Sequence, residues 1–289
     1  MWLFLALTTA FCYGLRGIGY QWSSQKPMDR NLMLLGVFIT GLVVSVIAIY
    51  ITGQVWSKGA LIGILIGTCS FLSNGAMYKG FSVGKASIIA IFSSLPPVIV
   101  IILAYIIWGE KLNLSQMVAF LIIIMGIIMI RYSSNLSLKN LGGIQWGLLV
   151  MLFFGLSEIT SKQAMLWEAD IFPTMVMSFS WGSILFGIIW LKNRARKDVL
   201  AKANQETTVN GPLRWKAIRT FQWGMLGLAF MLLAFAAGPT GLVSVIVGLS
   251  VLVILFYVRF FLKEKFNRME LLGISFSLLG VVLLRLLGS

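Results

Sequence analysis

Apolar residues run in long blocks separated by short polar breaks. Ten blocks come close to the roughly 20 mainly apolar residues that a helix needs to cross hydrocarbon. They are 2–22, 32–51, 59–78, 85–108, 115–131, 144–166, 173–191, 219–237, 240–262 and 269–287. Several are dense in Ile, Val and Phe, a pattern shared with buried strands. Their length decides for helix, because a lone strand in lipid leaves its backbone donors and acceptors unpaired. The reading is therefore an all-α membrane protein of ten transmembrane helices. Most breaks are short, so consecutive helices are antiparallel neighbours. The long exception is the basic segment 192–218.

A repeat underlies the pattern. Glu110-Lys111-Leu112-Asn113 returns 154 residues later as Glu264-Lys265-Phe266-Asn267. At the same offset Gly84 matches Gly238, Gly126 matches Gly280 and Arg131 matches Arg285. Upstream, Tyr13-Gly14-Leu15 matches Phe154-Gly155-Leu156 at a shorter offset. Residues 1–135 and 141–289 are thus two five-helix repeats. Five is odd, so the second is inverted relative to the first, a common plan of secondary transporters.

Two runs carry a family resemblance. ASIIAIFSSLPPVIVIILAYIIWGEKLNLSQMVAFLIIIMGIIMI and GLVSVIVGLSVLVILFYVRFFLKEKFNRMELLGISFSLLGVVLL resemble the last two helices of an EamA-type repeat of the drug/metabolite transporter superfamily. The second copy departs by Lys263 at the position of Gly109. The resemblance implies a ten-helix carrier whose cavity is lined by the first, third, fourth, sixth, eighth and ninth helices. It also implies cytoplasmic termini.

Charge gives the opposite orientation. The odd-numbered loops hold 17 Lys and Arg residues against 3 on the other side, and basic loops stay in the cytoplasm. Both termini then lie outside. With only 11% charged residues and 59% hydrophobic, the net charge of +14 reads as membrane orientation and not as a nucleic-acid surface. The chain is expected in the cell membrane as a multi-pass protein, with its first apolar block retained as a span. There is no His, which removes His-based metal sites and catalytic pairs. Cys12 and Cys69 lie inside apolar runs, against a disulfide framework. GFSVGKAS lacks the first glycine and the Ser or Thr of a phosphate loop. No cofactor is expected, and the chain is not expected to be an enzyme.

Ionisable groups inside spans are costly and mark candidate sites. Thr9, Tyr13, Arg16 and Tyr20 share one face of the first helix. A guanidinium flanked by phenols suits an anionic or zwitterionic ligand; the alternative is snorkelling of Arg16 to the interface. Glu158, in the sixth helix, is a substrate or proton site, or is neutralised by Lys162 one turn later. It also resembles the early-helix carboxylate of small multidrug resistance proteins, which look like half of this fold. Arg16 and Glu158 are displaced toward opposite membrane faces, roughly 10 Å apart in depth, which suits the two ends of a zwitterion. In the third helix Gly63, Gly67, Ser70, Asn74 and Tyr78 form a stripe. The glycines suit close packing, whereas Asn74 and Tyr78 are cavity candidates. Ser93, Ser94, Pro96 and Pro97 break or bend the fourth helix, which makes Ser94 a further candidate. Trp22, Trp56 and Trp108 suit interfacial anchors.

The expected activity is alternating-access carriage of small polar metabolites such as amino acids. A rival is a proton-coupled exporter of organic cations centred on Glu158, with protons as coupling ion. A rival of another class is a membrane interaction subunit without flux.

Overall fold

The computed structural model describes residues 1–24, 30–83, 89, 92–132, 144–200, 223–260 and 268–287. Most basic loop residues, Gly84 and the second turn Glu264–Asn267 lie outside them. The helices are α1 (Trp2–Ser24), α2 (Arg30–Thr52), α3 (Gly63–Val83), α4 (Pro96–Trp108), α5 (Leu114–Tyr132), α6 (Ile144–Leu166), α7 (Ile171–Leu200), α8 (Trp223–Ala237), α9 (Thr240–Gly248), α10 (Ser250–Phe260) and α11 (Arg268–Leu287). A 3₁₀ turn, Lys58–Ile62, leads into α3.

Five described helical stretches are long and apolar enough to cross a membrane: Trp2–Tyr20, Asn31–Thr52, Lys58–Gly80, Ile144–Leu166 and Ile171–Asn193. Their outward faces carry Phe4, Phe11, Ile47, Leu65 and Ile184, and the shorter helices expose Ile102, Leu121, Met125 and Leu278. Water would not tolerate so continuous an apolar exterior, whereas lipid tails do.

Two boundaries differ from the sequence reading. Helix α7 does not stop near 191 but continues to Leu200, into the segment expected to be loop. Lys, Arg and Leu are good helix formers, so the helix runs on past its apolar stretch. The ninth span is two helices, α9 and α10, meeting at Leu249. The fourth span breaks in the same way: Leu95 precedes Pro96 as the N-cap of α4. Leu95 and Leu249 are 154 residues apart, so both repeats break at the same place. Prolines 96 and 97 suit the start of α4, where a missing N–H costs nothing, but Ser250 starts α10 without one. A break at this place therefore does not require proline. Pro96→Ala should change stability by less than about 1 kcal/mol, read as detergent melting; a larger loss would show that the ring itself holds the break.

The packing is almost wholly between repeats. α1 packs on α8 and α6 on α3; α2 packs on α7, α5 on α11 and α4 on α9. The contacts obey the sequence offsets. A Cβ on Gly126 would strike the Gly273 carbonyl and Ser277, and one on Gly280 would strike the Ala119 carbonyl and Ile123. Each contact maps onto the other by 154 residues. Likewise Gly14 abuts Val253 and the Ser250 carbonyl, while Gly155 abuts Ile99 and the Pro96 carbonyl. The first two helices of each repeat are related by 141 residues. At that offset Phe38 matches Phe179, and their rings meet edge-on at 5.6 Å. Residues equivalent under a two-fold can touch each other only at its axis. The axis therefore passes between Phe38 and Phe179. It also passes between Ser94 and Gly248, whose Cβ position lies 3.3 Å from the Ser94 carbonyl. The two helix breaks thus face one another on the axis.

Candidate functional site

A narrow cavity of about 60 Å³ lies between the repeats. It is walled by α1, α2, α3, α6, α7 and α8, and among its lining residues are Tyr13, Arg16, Tyr20, Asn74, Phe154 and Glu158. Of the residues singled out in the sequence, the structure brings together Tyr13, Arg16, Tyr20, Asn74 and Glu158. The described lining differs in part from the expected helix set. Among the described residues none of the lining comes from α4 or α9, which pack on each other at the axis. The second and seventh take their place, through Val37, Phe38, Ser178 and Phe179.

Arg16 is held by rings. Its guanidinium carbon lies 4.2 Å from the centroid of Tyr13, 5.6 Å from Phe154 and 6.0 Å from Tyr20. Aromatic faces attract a cation without occupying its N–H donors. Among the described residues Arg16 has no carboxylate partner within 4.0 Å and no hydrogen bond to protein. Gly224 lets α8 pass against the Arg16 stem; a side chain there would strike Cδ. The guanidinium is thus flanked by rings, and Arg16 lines the cavity. This geometry matches a carboxylate or phosphate.

Around it, hydrogen bonds fix the walls. The Tyr20 hydroxyl donates to Asn74 Oδ1, and Asn74 Nδ2 donates to the Ser70 carbonyl at 2.6 Å. Asn74 therefore orients Tyr20 as well as lining the cavity. The Tyr13 hydroxyl donates to Met231 Sδ at 3.6 Å.

Glu158 forms the deep end. The residue is buried, and its Oε2 has no hydrogen-bond partner. Ser244 of α9 lies beside its carboxyl. The Ser244 hydroxyl also lacks a bond of good geometry. Tyr13 lies within electrostatic reach of both Arg16 and Glu158. Among the described residues no ion pair joins those two directly. A carboxyl and a guanidinium, neither of them ion-paired among the described residues, thus share one hollow. The repeats supply them out of register: the equivalent of Arg16 is Ser157, and that of Glu158 is Gly17. A symmetric scaffold so carries a polar, asymmetric site.

Three candidates lie elsewhere. Ser94 is buried at the axis, against Gly248. Tyr78 lines a separate groove between α3 and α6, with Lys79 and Trp146. Lys162 does not neutralise Glu158. Its Nζ donates to the carbonyls of Phe235 at 2.8 Å and Gly238 at 3.1 Å, and lies 4.0 Å from Glu110. Those carbonyls end α8, where a cation satisfies the unpaired acceptors and the helix dipole. Glu110 does the converse for α9. It accepts from the Thr240 N–H at 3.0 Å and from the Thr240 hydroxyl at 2.8 Å, a cap worth about 1 kcal/mol. Of these contacts the 4.0 Å ion pair contributes least. The stripe on α3 divides as well. Gly63 and Gly67 pack on the backbone of Thr174 and Ser178, while Ser70 and Asn74 line the cavity. Trp108 donates to Gln163 at 3.2 Å, Trp56 is exposed, and the Trp22 side chain is outside the described residues.

Sequence reasoning missed Phe154, Phe38 and Phe179 as cavity walls. Phe154 had a signal, since it is the repeat equivalent of Tyr13. Glu110 belonged to the repeated turn, but its partner, Thr240, is 130 residues away.

The sequence pattern of the EamA-like transporter family matches residues 1–132 and again 141–286. No curated protein sequence matches the chain. Among solved structures, one crystal structure of a protein superimposes with a TM-score of 0.75, covering 99% of this chain and 96% of its own, at 12% identity. Likeness at that identity is one of fold.

Proposed function

Since this chain belongs to the EamA-like transporter family, and is thus a membrane transporter of the drug/metabolite superfamily, we propose that it is a secondary-active carrier of small zwitterionic metabolites such as amino acids. The observation that carries this reading is Arg16: a guanidinium on the cavity wall with no carboxylate or carbonyl partner among the described residues. It receives the substrate carboxylate. Glu158, with an unpartnered oxygen, receives the ammonium group, and Tyr13 stands between them. Carriers place their sites at the interface of inverted repeats and rock one repeat against the other. Here the axis through Ser94 and Gly248, where two helices break, is the natural pivot. The basic loops lie in the cytoplasm.

Purified protein in liposomes would be screened with labelled zwitterionic amino acids, monocarboxylates and quaternary amines. Zwitterions should move fastest. A second reading, export of organic cations in exchange for protons, draws on the same unpartnered Glu158 oxygen and the aromatic walls. It predicts that quaternary amines win and that an imposed pH gradient drives them; that outcome would overturn the zwitterion reading. Glu158→Gln separates the roles further. It should slow zwitterions by about tenfold or more, as loss of one charged contact implies, while sparing any carriage of monocarboxylates. Equal loss for both solutes would show that Glu158 does not hold the ammonium.

A further inference from the structure

We infer that Glu110, Thr240 and Lys162 form the gate lock on the membrane face that carries the chain termini, holding the carrier closed there. The inference rests on the carrier reading above. Glu110 belongs to the first repeat, Lys162 and Thr240 to the second. The three meet at the Gly238–Pro239 turn, where Lys162 closes the C-terminus of α8 and Glu110 closes the N-terminus of α9. The same face holds further bonds between repeats. Asp170 Oδ2 accepts from the Val55 N–H at 2.7 Å, Gln54 Oε1 accepts from the Phe172 N–H at 2.7 Å, and Gly238 abuts the Trp2 ring.

The cavity lies on the other side of this seal. Of its α8 residues, Gly224, Met225 and Leu228 belong to the half of α8 far from the Gly238 turn, and Met231 lies just past the middle. Glu158 is its residue nearest the lock along α6, one turn before Lys162. A substrate leaving toward the terminal face must therefore pass where Lys162 and Glu110 are joined. The repeat does not carry the same three residue types at the other face. At the positions equivalent to Lys162 and Thr240 the first repeat has Gln21 and Ala86. The counterpart of Glu110 in the second repeat is Glu264. The two faces thus differ in sequence among the positions of these three residues.

Ser161, fully buried and one residue before Lys162, reports on the seal. In nanodiscs, with Cys12 and Cys69 replaced by Ala, Ser161→Cys would be treated with a water-soluble thiol reagent. Glu110→Gln removes the charge while keeping one acceptor, and Thr240→Val removes the hydroxyl in nearly the same volume. Each should speed labelling by about tenfold, the factor expected for a bond to a charged group. Unchanged labelling in both, with monodisperse protein, would overturn the lock. Flux in liposomes is measured separately: faster labelling with no flux of any solute would defeat the carrier reading and leave the labelling result intact.

Discussion

Arg16→Gln should lower zwitterion flux by about 10²–10³ while leaving the protein folded. A buried charge deprived of its partner is penalised by about 3–5 kcal/mol, and each 1.4 kcal/mol is about tenfold. In the variant the substrate carboxylate enters the cavity without its counter-charge. Folding is spared because Arg16 makes no hydrogen bond or ion pair to the described protein, only ring contacts. Arg16→Lys is the informative companion. It keeps the charge but not the planar fork, so it should recover part of the flux and raise the KM. Initial rates in liposomes, against melting of the same preparations, separate the two effects. Full activity in Arg16→Gln would remove Arg16 from the site.

The second large effect falls on assembly. Gly126→Val should destabilise the protein by about 3 kcal/mol or more, or prevent the repeats from docking, since overpacking of a fitted contact is already costly with flexible neighbours. Here the neighbours include backbone: the Gly273 carbonyl and the Ser277 nitrogen, beside the Ser277 hydroxyl. Gly75 is the control. A Cβ there meets nothing within 4 Å, so Gly75→Ala should be neutral or gain up to about 1 kcal/mol of helix propensity. Detergent melting curves compare the two. Equal melting temperatures would mean that α5 and α11 do not meet at Gly126.

These two positions also show what could be read from the chain alone. The repeat was legible because its glycines are fixed by close approach on both sides of an axis: Gly126 and Gly280 recur at the same offset that relates their contacts. Arg16 and Glu158 were legible because charge inside an apolar run is conspicuous. What each charge meets was not legible. Lys162 follows Glu158 by one turn, which suggested a pair. In the fold the lysine instead reaches the end of α8 and Glu110. Nothing local to 162 announces a turn at 238. The cavity walls from α2 and α7 were hidden for a similar reason: Phe38 and Phe179 look like ordinary apolar residues until the axis brings them together. The break at Leu249 had only a weak trace, the alignment of Gly248 and Ser250 with Ser94 and Pro96, since no proline marks it.

In the proposed carrier one site between the repeats is exposed to the two membrane faces in turn. Counterflow distinguishes this from a simple pore. Vesicles loaded with the fastest unlabelled amino acid would be diluted into a trace of the same amino acid carrying a label. An alternating site predicts transient accumulation of label above its outside concentration, abolished by Arg16→Gln. Label that only rises to equilibrium, at the same rate with or without internal substrate, would contradict the account.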